Sequence, residues 1–98
     1  MEKDIEAYVR REVEAMGGQC LKWVCPGHTG VPDRIVLLPG GRIWFIEFKQ
    51  QGGRVSDLQR YWLNLLFGMD FPASVVKGRK QAEMFVSLLK RGEGGGAL

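Results

Sequence analysis

The chain has 98 residues, of which 45% are hydrophobic and 26% charged, a composition typical of a folded globular domain. This length provides one hydrophobic core, which excludes several domains, a long repeat array and an enclosed pocket for a large cofactor. The net charge of +3 is compatible with an anionic partner but does not require one.

The N-terminal residues and the two cysteines indicate a reducing, intracellular compartment. No apolar run approaches the about 20 residues of a membrane span, and residues 1–4 (MEKD) do not resemble a signal peptide. Cys20 and Cys25 are too few for a disulfide framework and suit a reducing environment. With His28 they supply only three of the four ligands of a structural zinc site. The sequence therefore predicts a soluble, cytoplasmic protein without a membrane partner.

Hydrophobic periodicity and turn residues divide the chain into seven predicted elements. In chain order these are a helix at about 4–16, strands at 19–24, 34–38 and 43–49, a helix that opens at the capping box of residues 56–59 and ends near residue 68, a strand at 71–76 and a helix at about 79–90. The order α-β-β-β-α-β-α predicts an α/β fold with a central mixed sheet flanked by helices. Residues 1–91 form the predicted domain, and residues 92–98 a predicted flexible, glycine-rich tail.

The second strand of the predicted hairpin contains charged residues in an apolar run. Alternation places Glu47 and Lys49 on one face with Ile43 and Phe45, and the other face is also apolar. A strand with two apolar faces lies centrally in a covered sheet, where burying a carboxylate and an ammonium is costly. The pair therefore indicates a functional site.

The register of the hairpin predicts a third member of this site. With a three-residue loop, Leu38 pairs with Arg42 and Asp33 faces Glu47, with Cβ atoms about 4.5–5.5 Å apart. A two-residue turn would place Asp33 opposite Phe48, on the wrong face, unless a bulge restored the phase. The first register brings two carboxylates together.

Two neighbouring carboxylates repel each other, and a divalent cation between them removes this repulsion. Hard oxygen ligands favour Mg²⁺ or Mn²⁺, which leave coordination positions for water and a phosphate oxygen. Lys49, on the same face as Glu47, can position an attacking water or neutralise charge on the phosphoryl oxygens. This combination is typical of phosphodiester hydrolysis.

Three short motifs carry a resemblance to a known family. They are Gly30-Val31-Pro32-Asp33 (GxPD), Glu47-Phe48-Lys49 (ExK) and the SxxQxxW pattern of residues 56–62. The first two resemble the PD-(D/E)xK nuclease signature, and the ordered set resembles the small stand-alone VRR-Nuc branch. The likeness extends over about residues 4–90 and implies a restriction-endonuclease-like core. The family has an apolar residue where this chain has Arg34.

The resemblance also implies a role for several residues. Asp33, Glu47 and the main-chain carbonyl of Phe48 would bind the metal, and Lys49 would be the catalytic lysine. Glu6 corresponds to an additional acidic residue of the family, which would reach the metal through water. Members of this family cut DNA to leave 5′-phosphate ends. The small members resemble Holliday-junction resolvases that act as homodimers on branched DNA, and they are similar to phage-encoded proteins.

Some of these residues have alternative explanations. Glu6 can form a surface pair with Arg10. Gln59, which the resemblance places beside the site, is also the third position of a capping box in which it would bond the Ser56 amide. For the whole protein, the alternatives are a non-catalytic DNA-binding module and a nuclease subunit that is active only with a partner.

Four basic or titratable residues are candidate contacts to DNA phosphates: Arg54, Arg60, Lys77 and His28. The alternative for each is an ordinary solvated surface. No segment resembles a recognition helix with base-reading side chains, so DNA shape is a better candidate than DNA sequence as the feature recognised. With DNA as the substrate that the resemblance implies, no small-molecule substrate is expected.

Overall fold

Seven helices and strands follow one another in the predicted order in the computed structural model, which describes residues 2–92. They are α1 Glu2–Ala15, β1 Gln19–Lys22, β2 Arg34–Leu38, β3 Arg42–Lys49, α2 Asp57–Gly68, β4 Ala73–Lys77 and α3 Gly78–Lys90. Residues 93–98 of the predicted tail lie outside the described residues. Within residues 2–92, no helix has the length and hydropathy needed to cross a bilayer.

The four strands form one sheet in the order β1-β2-β3-β4. The β1–β2 and β2–β3 pairs are antiparallel, whereas β3 and β4 are parallel. Strand β3 therefore lies inside the sheet, between an antiparallel and a parallel neighbour. The predicted central mixed sheet is confirmed, and so is the central position of the strand that carries the charged pair.

The register between β2 and β3 follows from the loop that joins them. Leu38 pairs with Arg42, and the pairing continues in step to Arg34 and Ile46. The next position along the hairpin brings Asp33 to the level of Glu47. The register of the three-residue loop is therefore confirmed.

Helices α1 and α3 cover one face of the sheet. Ile5, Val9 and Val13 form the apolar stripe of α1, as their helical spacing predicts, and they pack against Ile46 and Phe48 of β3. Helix α2 covers the other face with buried Leu63 and Leu66. We call these the α1/α3 face and the α2 face. Glu47 and Lys49 alternate with Phe48 and so lie on the α2 face.

The two outer strands are shorter at one end than predicted. Strand β1 ends at Lys22 rather than at residue 24, and β4 begins at Ala73 rather than at residue 71. The residue before β4 is Pro72, which has no N–H to donate, and its carbonyl accepts a hydrogen bond from the Phe45 amide at 2.9 Å.

Candidate active site

The charged pair of β3 lies at the end of a buried strand. Glu47 is only 2% exposed, and its Oε2 lies 3.8 Å from Nζ of Lys49, whose side chain is 20% exposed. A buried carboxylate is retained only when nearby positive charge or hydrogen bonds compensate for its desolvation. The pair therefore places a fixed acid beside an amine that solvent can reach.

Asp33 joins this pair from the neighbouring strand. It directly precedes β2, and its Oδ2 accepts a hydrogen bond of 2.9 Å from the backbone amide of Phe48. That amide lies between Glu47 and Lys49 in the chain. The structure thus brings together all three residues that the hairpin register and the ExK spacing placed at one point.

Gln59 connects the start of α2 to the same carboxylate. Its Nε2 donates a 3.0 Å hydrogen bond to Oε2 of Glu47. Its Oε1 accepts from the Ser56 amide at 2.9 Å, and its own amide donates to Oγ of Ser56 at 3.1 Å. Gln59 therefore makes both the capping-box contact and a contact with Glu47, because the capping box directs its amide nitrogen toward that carboxylate.

The loop between β1 and β2 is packed against α2. Gly30 has a φ of +87°, and a Cβ at this position would lie 2.7 Å from Cγ of Leu58 in the first turn of α2. His28 contacts Trp62 edge-on, with 5.5 Å between ring centroids. The glycine of GxPD is thus required both for the backbone conformation and for the close approach that seats the loop carrying Asp33.

Glu6 lies elsewhere than the resemblance implies. Its Oε1 accepts a 2.9 Å hydrogen bond from Nε of Arg34. Arg34 pairs in register with Ile46, so its side chain lies on the α1/α3 face, opposite that of Glu47. Glu6 therefore neutralises the cation that replaces the apolar residue of the family, and the structure does not bring it beside Glu47.

The predicted DNA contacts are distributed around the α2 face. Arg54 precedes α2 and Arg60 lies in its first turn, and both side chains are exposed. His28 is exposed on the loop between β1 and β2. Lys77 of β4 is half-buried and is the register partner of Lys49. Parallel partners share a face of the sheet, so Lys77 extends the positive charge of the site across β4.

The donor set fits a hard divalent cation. Among the described residues, no three Asp, Glu, His or Cys side chains form a metal-binding group. The oxygen atoms that could ligate a metal at this end of the sheet belong to the carboxylates of Asp33 and Glu47 and to the Phe48 carbonyl. Mg²⁺ is commonly bound by one or two carboxylates with water and phosphate completing the shell, so this small set suits it.

Two contacts join residues too far apart for local spacing to predict, although the resemblance had placed Gln59 beside the site. The pairing of Glu6 with Arg34 joins positions 28 residues apart, and the Gln59 contact with Glu47 joins positions 12 apart. The charged residue after Asp33 was a signal for the first contact, because an Arg in that position needs an acidic partner on the helix above it.

The protein is thus an α/β domain in which a buried Glu47, Lys49 and the adjoining Asp33 lie at one end of the sheet. The profile of the VRR-NUC domain family matches residues 4–80, and the chain belongs to this family. A solved structure described as "VRR_NUC domain" has a TM-score of 0.83 and 29% identity, covering 88% of this chain and 94% of that one. The resemblance seen in the motifs is confirmed.

A relative from a virus shares part of the sequence. "Putative nuclease p44" of Acyrthosiphon pisum secondary endosymbiont phage 1 is 45% identical over 58 residues, which make up 59% of this chain. The match spans 62% of the length of that relative. The similarity to a phage protein is the one that the motifs led us to expect.

Proposed function

We propose that this protein is a metal-dependent endonuclease that hydrolyses phosphodiester bonds in branched or otherwise structured DNA. The observation that carries the proposal is the 3.8 Å pairing of buried Glu47 with Lys49, beside an Asp33 carboxylate held on the same strand end. Membership of the VRR-NUC family and the similarity to a phage protein named as a nuclease support it.

Asp33, Glu47 and the Phe48 carbonyl are the residues that would hold Mg²⁺ or Mn²⁺. When bound, such an ion neutralises phosphate charge and lowers the pKa of water. The protein's part is to fix these donors: the Phe48 amide holds Asp33, and Gln59 holds Glu47. A carboxylate fixed by a hydrogen bond needs no reorganisation when the reaction occurs.

Lys49 supplies a positive charge that solvent can reach. Its partly exposed ammonium can donate hydrogen bonds to a phosphoryl oxygen or orient the attacking water. In the proposed reaction a water oxygen bonds to phosphorus and releases a proton to solvent, the bond from phosphorus to O3′ breaks, and O3′ takes up a proton from solvent. The products are a 5′-phosphate and a 3′-hydroxyl.

Arg54, Arg60, Lys77 and His28 would contact the phosphates that flank the cleaved bond, because they surround the site on the α2 face. A symmetric junction has two equivalent strands to cut, and one chain contains one such site. We therefore include a homodimer in the proposal, with two sites related by a two-fold axis. Cleavage of junctions by a protein that sediments as a pure monomer would contradict the dimer.

The test compares cleavage of a four-way junction, a flap, a duplex and a single strand. Wild type is expected to cut at least one of these with Mg²⁺ or Mn²⁺ and none in EDTA. Lys49→Gln and Asp33→Asn are expected to lose about 10²–10³-fold in rate, the usual cost of removing one transition-state contact. Their binding in Ca²⁺ should be unchanged. Arg11→Gln, an exposed substitution with the same charge change as Lys49→Gln, is the control.

Two results would count against the nuclease. One is the absence of cleavage of every DNA form by wild type, with binding retained, which would favour a non-catalytic DNA-binding module. The other is cleavage by Lys49→Gln at the wild-type rate. Activity that appears only after addition of a second protein would assign the chain to a nuclease subunit.

A further inference from the structure

A groove of about 400 Å³ lies between α2 and β4, and we call it the α2–β4 groove. Val75 and Lys77 line it, and they are the register partners of Glu47 and Lys49. Parallel partners lie on the same face of the sheet, and neighbouring strands are about 4.8 Å apart. The groove therefore begins one strand away from the candidate active site.

One side of α2 forms the outer wall. Arg60, Asn64 and Phe67 are spaced four and three residues apart, which places them on one side of the helix, and all three line the groove. Phe67 is 69% exposed. Leu66, the residue before it, is buried, so the exposed ring of Phe67 lies in solvent at the groove rather than in the core.

The chemistry of the lining suits an anion that carries a flat ring. Arg60 and Lys77 are cationic, and none of the described residues that line the groove is acidic. Asn64 and Ser74 add neutral hydrogen-bonding groups. The volume is near the lower end of the about 300–1,000 Å³ of small-ligand sites, which is enough for one nucleotide but not for a duplex.

We propose that the α2–β4 groove binds one unpaired nucleotide of the DNA substrate, beside the phosphodiester that is hydrolysed. The base stacks on Phe67 with its edge toward Asn64, and Arg60 and Lys77 contact the adjoining phosphates. This inference rests on the proposed nuclease function and adds a substrate preference to it. DNA with an unpaired nucleotide next to the cleavage point is bound in preference to DNA that is fully paired there.

The experiment measures stacking directly, with no cleavage. A forked DNA carries 2-aminopurine at its first unpaired position, and a fully paired duplex carries it at the matching position. In EDTA, wild type is expected to quench the fluorescence of the fork but not that of the duplex. Phe67→Ala should abolish the quenching and raise the Kd for the fork about 5- to 100-fold, from the usual worth of stacking on an aromatic side chain.

Four further variants separate the contribution of the groove from effects elsewhere on the protein. Phe67→Tyr keeps the ring and should quench as wild type does. Met84→Ala removes an equally prominent apolar side chain, 60% exposed on α3 and outside this groove, and should change nothing. Lys77→Gln should lower the slope of log affinity against log salt by about 1, whereas Arg11→Gln should not.

Absence of quenching when wild type is saturated with the fork overturns the proposal, and so does quenching by Phe67→Ala equal to that by wild type. Failure of wild type to bind the forked DNA would also overturn the proposal. Cleavage in Mg²⁺ is scored separately on the same DNA. Cleavage without quenching would support the nuclease function and contradict the nucleotide site. Quenching without cleavage would support the nucleotide site and contradict the nuclease function.

Discussion

Replacing Gln59 by Ala is expected to destabilise the protein more than removing the helix cap does. Gln59 makes two contacts through its side chain: Oε1 accepts from the exposed Ser56 amide, and Nε2 donates to buried Glu47. Ser56→Ala removes the cap hydroxyl and leaves the Glu47 contact in place. The two variants therefore divide the role of Gln59 into a part at the helix end and a part at the site.

The magnitudes follow from the environment of each contact. Loss of a Ser N-cap costs about 1 kcal/mol, which is the expected effect of Ser56→Ala. A hydrogen bond to a charged group contributes about 1.5–3 kcal/mol, and Glu47 is buried, so water cannot replace the lost donor easily. With a few tenths for the exposed cap contact, Gln59→Ala should cost about 2–3.5 kcal/mol.

Urea unfolding followed by tryptophan fluorescence in EDTA measures both free energies of unfolding. For a domain of this size the difference corresponds to several degrees in Tm, about 4–8 °C per kcal/mol. Equal destabilisation by Ser56→Ala and Gln59→Ala would refute the reasoning, because the contact with Glu47 would then contribute nothing.

Gln59→Glu gives a sharper version of the same experiment. It keeps an acceptor for the Ser56 amide but replaces the donor, 3.0 Å from Oε2 of Glu47, with a second carboxylate. Like charges at this separation are strongly unfavourable, so the variant should be less stable than Gln59→Ala in EDTA at neutral pH. Addition of Mg²⁺ should then raise its Tm more than that of wild type. The opposite order of stabilities would contradict the placement of these groups.

Two further predictions concern the loop and the cysteines. Gly30→Ala should cost about 2–5 kcal/mol, because it adds a clash with Leu58 to an unfavourable positive φ. Gly27→Ala, at nearly the same φ but with nothing within 4 Å, should cost only about 1–2 kcal/mol in the same urea titration; equal costs would refute the close approach. Cys25 should react with a thiol reagent well before Cys20, since burial raises the pKa of the Cys20 thiol and disfavours its thiolate. Mass spectrometry of the native protein during the reaction measures the two rates. Faster modification of Cys20 than of Cys25 would contradict the burial of Cys20.

Much of the architecture could be predicted from local patterns. Apolar residues at helical spacing, Val9 and Val13 among them, indicated α1, and the run of β3, apolar on both faces, indicated a central strand. These patterns work because a helix and a strand each repeat their side-chain direction over a few residues. The hairpin sequence allowed two registers, and the structure has that of the three-residue loop, which places Asp33 at the level of Glu47. The nearness of the acidic pair was therefore a local property of one hairpin.

Other features depended on how distant elements pack. The choice between a cap and a site contact for Gln59 could not be made from spacing, since it required the position of α2 on the sheet. The pairing of Glu6 with Arg34 required α1 to lie on the opposite face. The α2–β4 groove likewise exists only because α2 and β4 are neighbours in the fold. The sequence by itself determined the order of the elements and indicated the acid-lysine cluster. The structure decided the hairpin register and which helix covers which face of the sheet, because packing of separate elements is set by the whole core rather than by any one segment.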